Sequence, residues 1–210
     1  QKHAKIEKIV IEDGACKGVI LKDNFIASKA VLSNANLRST ILNMVGSDHF
    51  TPNFIEKTKA VRMNSSSCQV YMGVKPGETI PHIGDLVFTS TYPTFDTNKL
   101  LDRDITSRTF SVYYPEGRPY DENPRYAIVS STNARYEDWV NLNEEEYQSE
   151  KEKMIQETLD CLENFIPGVK DKLDFVEAAT PTTVKKFVHH EGGSSFGTKF
   201  EGLDVSMNLH

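Results

Sequence analysis

Residues 143–168 read NEEEYQSEKEKMIQETLDCLENFIPG, and the reading of this stretch decides the fold. Asn143 followed three residues later by Glu146 is a capping-box start. Tyr147, Met154, Ile155, Thr158, Leu159, Leu162, Phe165 and Ile166 then recur at helical spacing on one face, while the run from Tyr147-Gln148 through Lys153 reads as solvated. Pro167-Gly168 ends the helix, Leu173 to Val176 reads as a strand, and Thr180-Pro181 opens a new helix with proline in its first turn. The stretch closes on Gly192-Gly193-Ser194-Ser195-Phe196-Gly197, a loop whose backbone can approach another group closely.

Working outward, Lys5 to Glu12 alternates, Asp13-Gly14 is a two-residue turn signal, and Lys17 to Leu21 resumes the alternation, so the two runs form a β-hairpin. A third strand is expected over Ala30 to Ser33, followed by a helix over 37–45 that Asn34 is placed to cap. Residues 47–67 are polar, and Ser65-Ser66-Ser67 marks a loop. Cys68 to Val74, Asp85 to Ser90, Arg108 to Tyr114 and Tyr126 to Ser131 read as strands between Pro-Gly and Asn-Pro punctuation, which suggests an antiparallel sheet. With one face buried against the long helix and the other free, such a sheet can wall a cavity.

The 210 residues carry a net charge of −6 with both signs mixed, so the basic stripe of a nucleic-acid binder is missing. No stretch approaches the roughly 20 apolar residues that span a bilayer, which leaves peripheral membrane contact. Cys16, Cys68 and Cys161 lie far apart and form no Cys-x-x-Cys pair, a pattern that fits a reducing cytoplasm better than a disulfide framework or a zinc site.

Three constellations invite chemistry. His189-His190-Glu191 lacks a third ligand at useful spacing, so no metal is expected. Ser194 with His189 and an acid would make a hydrolytic triad, but the serine is not on a Gly-x-Ser-x-Gly elbow. The glycine loop lacks the Lys and Ser/Thr of a P-loop. From its residues it is either a surface turn or a loop whose backbone lies close to another group. The aromatics Tyr71, Phe88, Tyr92, Phe95, Phe110, Tyr113, Tyr114, Tyr120, Tyr126, Tyr136 and Trp139 are expected to be mostly core, with a minority lining a groove.

Two patches together resemble a known family. ENFIPGVKDKLDFVEAATPTTVKKFVHHEGGSSFG (163–197) and KGVILKDNFIASKAVLSNANLRSTILNMVG (17–46) are similar, in order and separation, to segments of phytoene-desaturase-like flavoproteins, the group of carotenoid desaturases, carotenoid isomerases and retinol saturases. The resemblance implies an α+β fold with a mixed or antiparallel sheet and helices packed on one face, corresponding to the substrate domain plus part of the FAD domain of a two-domain flavoprotein. It implies that 1–46 belongs to the FAD domain, 47–178 to the substrate domain, and 179–210 returns towards the FAD domain. It implies FAD as cofactor, contacted by the backbone of Ile6, by Ser33-Asn34-Ala35 and by Gly193-Ser194-Ser195, with an apolar isoprenoid or polyene substrate. No catalytic side chain is assigned.

The family's Gly-x-Gly-x-x-Gly turn, which sets a pyrophosphate on a helix N-terminus, does not occur in these residues. The middle offers Tyr114-Pro115-Glu116-Gly117 where Ala-Pro-Glu-Gly is common. The expectation is therefore an internal piece of a longer oxidoreductase, partnered by the N- and C-terminal segments of its own chain and inactive alone. Two other readings fit the same residues: a flavin amine-oxidase-like enzyme, and a non-enzymatic module that binds a lipid or a protein.

Overall fold

A computed structural model describes residues 4–117 and 123–199. Tyr120 and the last part of the expected return, 200–210, lie outside the described residues. Strands β1 (Ile6–Glu12), β2 (Ala15–Leu21) and β3 (Asn24–Ala27) form an antiparallel three-stranded sheet. The β1–β2 hairpin falls where the Asp13-Gly14 turn puts it. The third strand does not. Ala30–Ser33 is irregular, and the strand starts earlier because Lys22 and Asp23 both take positive φ, 49° and 62°, closing a tight hairpin straight after β2. A wide π-type helix (Ser39–Gly46) follows and packs on β1. Its start is capped by buried Asn36, whose Oδ1 accepts from Ser39 N at 3.1 Å, not by Asn34, which is exposed.

The polar segment expected as loop holds a helix, α1 (Pro52–Ala60), with Thr51 as its cap and proline in its first turn. Ser66 and Ser67 are also not loop. They begin β4 (Ser66–Val74) and are buried, because Ser66 Oγ finds a carbonyl partner inside the protein.

The larger sheet has the order β5 (Leu86–Ser90), β6 (Ser107–Tyr113), β7 (Ala127–Ala134), β4, β8 (Leu173–Ala179), with every pairing antiparallel. Short helices α2 (Thr97–Leu100) and α3 (Glu137–Val140) lie between strands, and α4 (Glu144–Glu163) covers one face of the sheet. Both hydrogen bonds of the Asn143–Glu146 capping box form, each at 3.0 Å. Met154, Thr158, Leu159 and Leu162 are buried along α4, and Ile166 beyond its end, against Val70, Met72, Phe110, Val112 and Ile128. Gly168 takes φ 77° at the break, one turn of helix α5 (Val169–Lys172) follows, and the chain enters β8.

Two polar groups are buried between helix and sheet. Arg108 on β6 donates from Nε to Thr158 Oγ1 at 3.2 Å and pairs with Glu157 at 3.1 Å, so the charge is neutralised where it lies. Tyr147 is half-buried, in line with its place in the apolar stripe and against the solvated reading of the run it begins; its hydroxyl lies 3.0 Å from Thr180 Oγ1. Burial pushes its phenol up, but hydrogen bonds from Thr180, Thr182 and Thr183 outweigh this and hold it below its ordinary value. Thr180 opens α6 (Pro181–Val188) with its own capping box to Thr183. Cys16, Cys68 and Cys161 are free, and burial pushes the Cys68 thiol up to about 12.

Phe110 is fully buried between sheet and helix, so Phe110→Ala is expected to cost about 3–5 kcal/mol by truncating the core. Asn143→Ala, which removes only a cap, is expected to cost about 1 kcal/mol. Urea denaturation followed by circular dichroism measures both. Equal losses would show that α4 is not held by its packing.

Candidate functional site

Because strands alternate, residues that flank the core positions point to the other face of the large sheet. Register aligns them in rows across it: Phe88, Thr109, Ser131, Gln69 and Ala179; then Leu86, Ser111, Val129, Tyr71 and Glu177; then Tyr113, Ala127, Gly73 and Phe175. Small side chains on β6 and β7 make a floor between taller apolar walls. Phe88 is 74% and Leu86 51% exposed on one side, and Phe175 48% and Tyr71 38% on the other. Tyr92 and Phe95, from the loop after β5, rise beside Phe88 around a pocket of about 560 Å³ whose lining includes Thr109, Ser131 and Asn133. That volume is in the range of small-molecule sites.

The aromatic expectation therefore divides. Phe110 and Trp139 are core, and Tyr114 and Tyr126 pack on it. Tyr71, Phe88, Tyr92, Phe95 and Tyr113 stand exposed. Tyr71 donates to Gln69 Oε1, and burial, followed by the nearby charge of Glu177, holds its phenol above the usual range. Sequence reading anticipated a free sheet face that can wall a cavity but not the residues on it, although the signal is present in β5: Leu86 and Phe88 are two apolar residues on the side opposite to core residue Val87.

A second cluster forms where the two resembling patches meet. Residues 193–199 run beside 62–66: Ser195 N donates to Ser65 O at 3.4 Å, Asn64 N to Gly197 O at 2.9 Å, and Lys199 N to Arg62 O at 2.8 Å. Ser66 Oγ donates to Gly193 O at 2.5 Å. Asn36 reaches the same segment through Met63 Sδ at 3.1 Å, and Arg38 Nε lies 3.2 Å from Glu191 Oε2, an ion pair in which the N–H is off the hydrogen-bond axis. Asn36 and Arg38, just after the Ser33-Asn34-Ala35 segment, are thus tied to the glycine loop through 62–66 and Glu191. Ser33, Asn34 and Ala35 are themselves exposed, and Ile6 is half-buried in the small sheet, paired with Leu21.

The glycine loop is not a free surface turn. Gly193 is buried with φ 59°, and a Cβ there would sit 2.5 Å from Pro181 O and 2.9 Å from the Tyr136 ring. Ser194 is buried and turns its Oγ to Gly197 O at 2.8 Å, which removes it as a nucleophile. His189 is the left-handed cap of α6, His190 donates from Nδ1 to Ser194 O at 2.7 Å, and Glu191 holds Arg38, so all three shape the loop. Among the described residues no group of three or more His, Cys, Asp or Glu could hold a metal ion.

For a flavin the fit is partial. Ser195 Oγ is buried without a hydrogen-bond partner among the described residues, and a Cβ on Gly192 would meet nothing within 4 Å. An orphaned buried hydroxyl suits a ligand with a polar edge. Nothing in these residues matches a pyrophosphate cradle.

No family model matches the chain. It is 26% identical over 198 residues to the chloroplastic prolycopene isomerase of Arabidopsis thaliana, covering 92% of this chain and 32% of that one. Against the chloroplastic prolycopene isomerase of Daucus carota it is 23% identical over 201 residues, covering 92% and 31%. Over most of its own length the chain is thus similar to prolycopene isomerases. An oxidoreductase of known structure from Methanosarcina mazei aligns with a TM-score of 0.48 at 14% identity, over 83% of this chain and 36% of its own. The chain spans about a third of the length of the curated relatives it matches. Among the described residues no helix is long and apolar enough to cross a membrane.

Gly193→Ala is expected to destabilise the protein by about 1–3 kcal/mol, since it forces both a left-handed backbone and a clash with Pro181 O. Gly192→Ala, with similar φ but open space, is expected to cost about 1 kcal/mol. Thermal unfolding separates them. Equal losses would show that the loop is not docked.

Proposed function

We propose that this chain is the substrate-facing part of an FAD-dependent oxidoreductase that acts on carbon–carbon bonds of an apolar polyene. The observation that carries the reading is the free face: an uncovered floor of small side chains between exposed aromatic walls, in a relative of carotenoid isomerases. Residues 47–178 supply this face. Residues 1–46 and 179–210 belong with the cofactor, and Ser33-Asn34-Ala35, Gly193-Ser194-Ser195 and the backbone of Ile6 would hold it. When bound, flavin supplies hydride transfer.

This chain's own residues do three things in that reading. Phe88, Phe95, Tyr71 and Phe175 bind the apolar chain by burying its surface. The floor residues Thr109, Ser111, Val129 and Ser131 leave it room to lie flat. Ser195 offers a hydroxyl to the ring. The proposed setting is a reducing compartment, with contact to a membrane surface and to further segments of the same protein.

The test is to purify the complete reading frame and the 210-residue chain, each with FAD supplied, and record visible spectra with and without a polyene. Flavin bound by the long form, and polyene binding weakened at least tenfold by Ser131→Trp with flavin retained, is the expected result. Flavin in neither form would overturn the oxidoreductase reading. Flavin reduction by amines with no response to polyenes would move it to the amine oxidases.

A further inference from the structure

An open sheet has two edges, and each presents a row of backbone groups that no neighbouring strand satisfies. The large sheet ends in β8 on one side and in β5 on the other. β8 is guarded: Asp174 and Glu177 stand exposed along it, and charged side chains on an edge discourage pairing with another chain. In the small sheet β1 carries Glu7, Lys8 and Glu12 and two irregularities of register, and β3 is only four residues long, between Lys22-Asp23 and Lys29. β5 reads Leu86-Val87-Phe88-Thr89-Ser90. It has no charge, no proline and no bulge, and its Leu86 and Phe88 are exposed.

Asp85 O accepts from Val112 N at 2.9 Å, and Thr91 N donates to Thr106 O at 2.8 Å. Hydrogen-bonded pairs alternate along an antiparallel ladder, so the odd-numbered residues of β5 bond to β6, and the N–H and C=O groups of Leu86, Phe88 and Ser90 point away from it. Among the described residues no strand takes them. This row is complementary to itself. When two copies of β5 lie antiparallel, all five residues face residues of β5 only with Phe88 opposite Phe88, since Leu86 then meets Ser90 and Val87 meets Thr89. In that register each outward residue falls in a hydrogen-bonded pair, which gives roughly six backbone hydrogen bonds across the edge. Asp85 comes opposite Thr91, so no like charges meet.

We infer that β5 is a docking edge for a second copy of this chain, with a two-fold axis through Phe88. The contact uses the same patch on both copies and closes at two, leaving the guarded β8 edges outermost. The two sheets become one continuous sheet. Phe88 lines the pocket of about 560 Å³, so the Phe88 of the second copy stands beside it and the two free faces share a wall. This dimer does not depend on the flavoprotein reading. If Leu86 and Phe88 serve only as a ligand wall, replacing Phe88 alters ligand binding and leaves association untouched.

A residue that faces its own copy can be tested by charge. The 210-residue chain and the complete reading frame are each followed by sedimentation equilibrium, unsubstituted, as Phe88→Lys, as Phe88→Glu, and as an equimolar mixture of the two variants. The unsubstituted forms are expected to be dimers. Each variant alone sets two like charges opposite each other and is expected to weaken association on the order of tenfold, while the mixture recovers it because unlike charges then face across the axis. Phe88→Pro removes an outward N–H and leaves the ladder to β6 intact, so it is expected to be monomeric with unchanged circular dichroism. Recovery on mixing cannot come from partial unfolding.

A 210-residue chain that stays monomeric at millimolar concentration would overturn the inference. So would a dimer that none of the three substitutions weakens, which would put the contact on another surface. Lys and Glu variants that are each monomeric and remain so when mixed would overturn the two-fold register through Phe88. Dimers of the 210-residue chain beside a monomeric complete protein would assign the edge to further segments of the same chain, and assembly beyond two copies would show that β8 is unguarded; either result overturns the closed dimer.

Discussion

One helix can cover only one face of a sheet, and the rest of this structure follows from that constraint. The apolar stripe of α4 seals Val70, Met72, Phe110, Val112 and Ile128. Strand alternation then requires that each of these buried residues have neighbours pointing the other way. On an isolated surface those neighbours would be charged. Here they are Thr109, Ser111 and Tyr113 on β6, Ala127 and Val129 on β7, and Gln69, Tyr71 and Gly73 on β4, so this part of the outward face carries no charged side chain.

The second constraint is the joint between residues 36–38 and 191–199 on one side and the sheet on the other. Residues 62–66 sit at the head of β4, so whatever pairs with them inherits the position of the sheet. The glycine loop pairs with them by backbone hydrogen bonds, and Asn36 joins through Met63. Backbone pairing is insensitive to side-chain identity, which fits a loop whose sequence is small residues. Gly193 supplies the one point where a side chain is sterically impossible, against Pro181 at the start of α6. The start of α6 is in turn fixed by Thr180 and by Tyr147 from α4. A continuous set of contacts therefore runs from the core helix to the loop.

Legibility in the sequence followed the locality of the signal. The α4 cap, its apolar stripe, the Pro167-Gly168 stop, the proline start of α6, the Asp13-Gly14 hairpin and the four strand runs of the central region depend on neighbours within a few residues, and the structure has them. The third strand of the small sheet was misplaced because Lys22-Asp23 is a poor turn signature, although both residues adopt the required positive φ. Helix α1 was missed because its stripe is brief, with Ile55 and Thr58 buried and the rest polar. Asn34 was preferred over Asn36 as a cap for the same reason that neither could be excluded: two asparagines, two positions apart, ahead of one helix. The free face depends on cross-strand register, a relation between residues 14 to 110 positions apart that periodicity alone does not report.

The chemistry of the floor follows from the same register. Thr109, Ser111 and Ser131 expose methyl or methylene groups and hydroxyls together, so the floor can be wetted when the face is open and can satisfy its own hydroxyls on nearby atoms when an apolar ligand displaces that water. Thr132, one position away on the core side, donates its hydroxyl to Ser107 O at 2.9 Å. A floor of Leu or Ile would bind an apolar chain more tightly, but it would leave a large dry patch exposed whenever the ligand left. Hydroxyl-bearing small residues trade some affinity for a face that tolerates both states.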